Sequence, residues 1–114
     1  MRYLSVPVRD DLKTKMVFIG GPRQVGKTTF ALSFLKSGKK GDPAYFNWDI
    51  NEDRKEILKG IVPNSEPLYV FDEVHKFARW RNLLKGFYDK YNPEISFLVT
   101  GSARLDHYRK GGST

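Results

Sequence analysis

The segment Gly21-Pro22-Arg23-Gln24-Val25-Gly26-Lys27-Thr28 satisfies the pattern G-x-x-x-x-G-K-S/T at every fixed position. Each residue type answers a separate chemical need. Glycines let the backbone wrap so that successive N–H groups face phosphate oxygens, and a helix starting next adds its positive N-terminal end. Lys27 is a mobile cation able to reach β- and γ-phosphates, and the Thr28 hydroxyl suits Mg²⁺. A chance glycine-rich turn is the plain alternative. The setting between a strand pattern and a helix pattern argues against it.

A second group lies in Leu68-Tyr69-Val70-Phe71-Asp72-Glu73, four apolar residues followed by two acids. A carboxylate at the C-terminal end of a buried parallel strand stands in the crevice where such sheets take ligands. There Asp72 is the natural partner of Mg²⁺, directly or through water, and Glu73 the group to orient and deprotonate an attacking water. The competing role is electrostatic, with both acids merely favouring the start of the next helix. Thr100-Gly101-Ser102 offers hydroxyls at the end of another apolar run, so Thr100 is a candidate γ-phosphate sensor.

Other residues have plainer readings. His75 is expected to be an ordinary, partly buried histidine, although it is near enough to Glu73 to hold it. Trp80 and the aromatic residues after it recur at helical spacing and belong to a core. Lys36, Lys39, Lys40, Arg79, Arg81, Arg109 and Lys110 are simplest as solvated charges, though together they would suit a nucleic-acid backbone.

The elements that must position these groups can be read from periodicity. Met16-Val17-Phe18-Ile19 is a short strand pattern ending in glycines, and Phe30, Ala31, Phe34 and Leu35 predict an amphipathic helix over 28–36. A second strand is expected over 44–48, and a short helix over 51–59 with Asn51 as N-cap and Gly60 at its end. Leu68 to Phe71 form a third strand. The longest helix carries Phe77, Trp80, Leu84, Phe87, Tyr88 and Tyr91 on one face and stops at Pro93. Ile95 to Val99 complete a fourth strand. Strands alternating with helices imply an α/β fold, a parallel sheet with helices on both faces.

The composition bounds this reading. With 114 residues, 39% of them hydrophobic, the chain makes one domain over residues 1–114. It has no cysteine, which excludes disulfides, thiolate catalysis and Cys-ligated metals, and its two histidines are isolated. No apolar stretch reaches the length of a signal peptide or of a membrane span of about 18 residues, so a soluble, cytoplasmic protein without a membrane partner is expected. A net charge of +7 favours polyanions without saying which.

The base-reading N-K-x-D and the D-x-x-G switch of Ras-type GTPases are absent, because Asp72-Glu73 runs on into Val74-His75. An acid pair on its own strand instead suits ATPases with an additional catalytic glutamate.

Taken together, Gly21 to Thr28 with Thr29, Phe46-Asn47-Trp48-Asp49, Phe71-Asp72-Glu73-Val74-His75-Lys76, Trp80, Leu84-Lys85-Gly86 and Thr100-Gly101-Ser102-Ala103-Arg104-Leu105 resemble the prokaryotic AAA-type P-loop ATPases. The resemblance implies a three-layer P-loop NTPase fold in which the Thr100 strand lies between the phosphate-loop strand and the Asp72 strand. It also implies ATP as ligand, bound by Gly21, Pro22, Arg23, Gln24, Val25, Gly26, Lys27, Thr28 and Thr29. Mg²⁺ goes with Thr28 and Asp72, and Glu73, Lys27 and Thr100 serve catalysis. Relatives of this type are usually several times longer, with a lid and often a nuclease-like C-terminal domain. The expectation is therefore a truncated N-terminal fragment with about four strands, the fifth strand, second sensor and arginine finger lying elsewhere.

Three functions fit these residues. The first is Mg²⁺-dependent ATP binding with hydrolysis that is slow in isolation. The others are a basic nucleic-acid-binding module and a domain whose nucleotide gates a protein partner.

Overall fold

The computed structural model describes residues 16–20 and 26–101. Four short apolar runs pair through their backbones as β1 (Val17–Ile19), β2 (Tyr45–Asn47), β3 (Leu68–Asp72) and β4 (Ser96–Thr100). All neighbours are parallel and the order is β1-β4-β3-β2, so the Thr100 strand does separate β1 from the Asp72 strand. The two central strands are the most buried, as continuous β-branched and aromatic runs require when both faces are covered.

Register decides what each face contains. Val17, Leu98, Val70 and Tyr45 form one row across the sheet, and Ile19, Thr100, Asp72 and Asn47 form another two residues further on. Phe18, Val99, Phe71 and Phe46 form the row between them. Because successive side chains alternate, the first two rows share one face and the third row the other.

Helix α1 (Lys27–Leu32) lies on the face of Asp72 and contributes the buried side chains of Ala31 and Leu32. Helix α3 (Trp80–Tyr91) covers the opposite, aromatic face. Its Trp80 meets Phe18 edge-on with centroids 5.9 Å apart, Phe87 meets Phe71 at 5.0 Å, and Tyr91 meets Phe97 at 6.1 Å. Each buried Phe contributes about 1.5–3 kcal/mol by leaving water, and each favourable ring pair about 0.5–1.5 kcal/mol more. Helix α2 (Asn51–Leu58) flanks the edge strand β2 and buries Ile57.

One boundary of each helix departs from the sequence pattern for a local reason. α1 ends at Leu32 instead of continuing to Lys36. There the Ser33 hydroxyl donates to Phe30 O, and the N–H groups of Phe34 and Leu35 turn back to the carbonyls three residues earlier. That is the tighter geometry of a helix unwinding. The Asp42 carboxylate then fixes the following loop by accepting the N–H groups of Ser37 and Ala44 at 3.0 and 2.9 Å. Burial pushes this carboxyl upward, but these backbone donors and Lys36 outweigh it and hold it below its ordinary value.

Asn51 is the first helical residue of α2 and not its N-cap; extended Ile50 occupies that position. Asp53, in the first turn, accepts the N–H of Asn47 and so ties the helix to β2. Gly60 follows the helix at φ 72°, where a side chain would be strained. α3 begins at Trp80, so Phe77 is not on its face. Phe77 follows a 3₁₀ turn (Val74–Lys76) in an extended conformation and stacks on Trp48 at 5.0 Å. The helix stops after Tyr91 because Asn92, preceding Pro93, takes the extended conformation that a pre-proline residue favours.

Candidate functional site

Asp72 closes β3, and its carboxylate is almost wholly buried, with 4% of the residue exposed. Burial of such a group demands donors. Three hydroxyls supply them from three other elements: Thr28 on α1 donates to Oδ2 at 3.0 Å, Tyr45 on β2 to Oδ2 at 2.7 Å, and Thr100 on β4 to Oδ1 at 2.7 Å. Hydrogen bonds to a charged group are worth about 1.5–3 kcal/mol each, and these three act against the cost of burying the carboxylate. Burial, and then the carboxylate itself, push the Tyr45 phenol far above its ordinary value, so it stays a neutral donor.

Thr28 reaches Asp72 because α1 starts at once from Gly26, whose φ of 70° is open to glycine without cost. Lys27, the first residue of the helix, is buried at 5% exposure, while Thr29 stands exposed one position after Thr28. Gly21, Pro22, Arg23, Gln24 and Val25 lie outside the described residues, as does Ser102.

Glu73 follows Asp72 in a left-handed conformation, φ 65°. For a residue with a Cβ this costs about 1–3 kcal/mol, and such strain collects at functional positions. The turn is held by the Glu73 N–H, which donates to Thr100 O at 2.8 Å. Glu73 Oε1 sits 3.7 Å from both His75 Nε2 and Lys76 Nζ. The separation from His75 is too long for a hydrogen bond. Lys76 is itself anchored by both oxygens of Asp49, at 2.9 and 3.0 Å.

His75 is the partly buried histidine expected, with one surprise: its Nδ1 is buried without a hydrogen-bond partner. Burial, helped by Lys76 and opposed by Glu73, holds the imidazole below its ordinary value. The ring lies over Gly101, where a Cβ would come within 2.5 Å of Nδ1. Gly101 is thus required by close approach, a constraint that no local pattern announces.

The sequence candidates therefore divide. Thr28, Asp72 and Thr100 converge by direct hydrogen bonds, Lys27 is buried beside Thr28 in the chain, and Glu73 occupies the turn immediately after Asp72. Tyr45 was not among them. Alternation along β2 places it on the Asp72 face, but only the register with β3 brings its hydroxyl to the carboxylate.

The donors suit a hard cation. A hydroxyl and a carboxylate are oxygen ligands of the kind Mg²⁺ prefers, with phosphate and water completing its sphere. Among the described residues no group of three or more His, Cys, Asp or Glu side chains assembles. No helix among them is long and apolar enough to cross a membrane.

A family model described as an AAA domain matches residues 13–114. No curated protein and no solved structure matches the chain. The match spans most of the sequence and coincides with a four-stranded parallel α/β sheet whose central strands end in Thr100 and Asp72. On these grounds the chain belongs to the AAA-type P-loop ATPase family.

Proposed function

We propose that this protein binds ATP with Mg²⁺ and hydrolyses it to ADP and phosphate, slowly when alone. The observation that carries the reading is the convergence of the Thr28 and Thr100 hydroxyls on the buried Asp72 carboxylate. Thr28 belongs to the phosphate-loop pattern, and Thr100 closes the neighbouring strand.

The roles follow from chemistry. In a phosphate loop of this pattern the backbone N–H groups, which Pro22 lacks, would bind the phosphates, and Lys27 adds positive charge at the β- and γ-phosphates. Bound Mg²⁺ neutralises phosphate charge, and Thr28 and Asp72 are the residues that would hold it. Glu73 orients a water molecule and accepts its proton as the water oxygen bonds to the γ-phosphorus. The bond from that phosphorus to the bridging oxygen breaks, and ADP leaves. Thr100 presents a hydroxyl to the γ-phosphate.

An arginine contributed by a partner is worth about 10³–10⁵ in rate to such reactions, which is why slow intrinsic turnover is expected. Calorimetric titration with a non-hydrolysable ATP analogue and Mg²⁺, run beside GTP and a Lys27→Ala control, tests the reading. Binding of the ATP analogue that vanishes in the control supports it; no binding by the folded chain rejects it.

A further inference from the structure

Asp72 Oδ2 accepts two hydroxyls, and only one of them belongs to a residue with a place in the proposed reaction. Thr28 is that residue. The other, Tyr45, approaches from the edge strand β2, which the phosphate loop does not touch in sequence. Its register partner on β3 is Val70, two residues before Asp72 on the same face. Two residues of strand rise by about 6.6 Å, roughly the length of a tyrosine side chain from Cα to hydroxyl. A shorter hydroxyl residue at this position would fall short. A phenylalanine would fill the same space and donate nothing.

We propose that Tyr45 is a positioning residue for the Mg²⁺ function of Asp72. β3 is flanked by β2 and β4, and each neighbour sends one hydroxyl to the carboxylate: Tyr45 to Oδ2 and Thr100 to Oδ1, both at 2.7 Å. Held from both sides, the carboxylate keeps one orientation when the Thr28 hydroxyl turns its lone pairs to a cation. Tyr45 itself is buried at 4% exposure, and its phenol also meets the Asn47 side chain. The inference rests on the reading of Asp72 as the Mg²⁺ partner.

The test is a Tyr45→Phe variant compared with the wild type in ADP binding, measured calorimetrically over a Mg²⁺ series and in EDTA. Expected is unchanged affinity in EDTA and about a tenfold rise in the Mg²⁺ concentration that gives half of the metal-dependent tightening, the loss typical of one hydrogen bond to a charged group. An unchanged Mg²⁺ midpoint overturns the proposal. So does an equal loss of affinity with and without metal, which marks a purely structural role. If the wild type shows no metal-dependent tightening, the Mg²⁺ reading of Asp72 fails first and takes the proposal with it. Should Tyr45→Phe not fold, the ring Cζ resonance of Tyr45 in the wild type serves instead: it is expected to shift when Mg²⁺ joins the ADP complex, and a static resonance overturns the proposal.

Discussion

The two faces of one sheet are built for different ends. On the α3 face, Phe18, Phe46, Phe71 and Phe97 meet Trp80, Phe87 and Tyr91 in a continuous aromatic layer. On the α1 face, the rows are Val17, Leu98, Val70 and Tyr45, then Ile19, Thr100, Asp72 and Asn47, smaller and polar toward the strand ends. Phe71 and Asp72 are consecutive residues that serve these separate tasks, because a strand sends neighbours to opposite sides. The dry face supplies stability without strain, and the polar face holds a buried charge and a strained turn. The aromatic layer is what lets the sheet carry both.

That contrast is open to direct attack. Phe71→Ala should cost about 3–5 kcal/mol of stability, a large share of the roughly 5–15 kcal/mol available to a domain, as read from denaturant unfolding. Asp72→Asn, one residue away, should remove the Mg²⁺ dependence of nucleotide binding while costing less stability than Phe71→Ala. If the two variants lose stability equally, the division of labour between the faces is wrong.

Gly101→Ala forces a methyl group against the buried His75 ring and should cost about 1–3 kcal/mol by the same measurement. Retained stability would show that the ring moves aside freely.

Glu73→Gly should have the opposite sign. Releasing the left-handed strain gains about 1 kcal/mol while turnover disappears, so higher stability with lost activity is the expected pairing. A Glu73→Gly variant no more stable than Glu73→Gln would show that the turn is not strained by its side chain.

The smallest effect concerns pH. The His75 imidazole is held below its ordinary value of 6.5 by burial first and Lys76 second. As pH falls through about 6.5, the unfolded chain gains a proton that the folded chain resists. Stability is therefore full above that pH and declines as pH drops below it. The decline should flatten in His75→Asn, monitored as the thermal midpoint across the series.

Much of this was legible from residue order. Strands near Val17, Tyr45, Leu68 and Ser96 announced themselves as short apolar runs, and Thr28, Asp72 and Thr100 stood out by type and position. Helix ends were harder. Ser33 terminates α1 through a bond to its own preceding turn, and the periodicity of Phe34 and Leu35 concealed it. Phe77 likewise matched the period of α3 while packing on Trp48, because an aromatic residue buried by a loop and one buried by a helix look alike in a pattern.

The sequence by itself determined the alternation of strands and helices, the phosphate-loop pattern and the identity of the acids, since these depend on local periodicity and on residue type at fixed spacing. Only the tertiary structure decided that Tyr45 reaches Asp72 across the register of β2 and β3, and that His75 rests on Gly101. Those contacts join residues 26 to 27 positions apart, and a chain encodes such distances through the packing of all its parts, with no mark on any one of them.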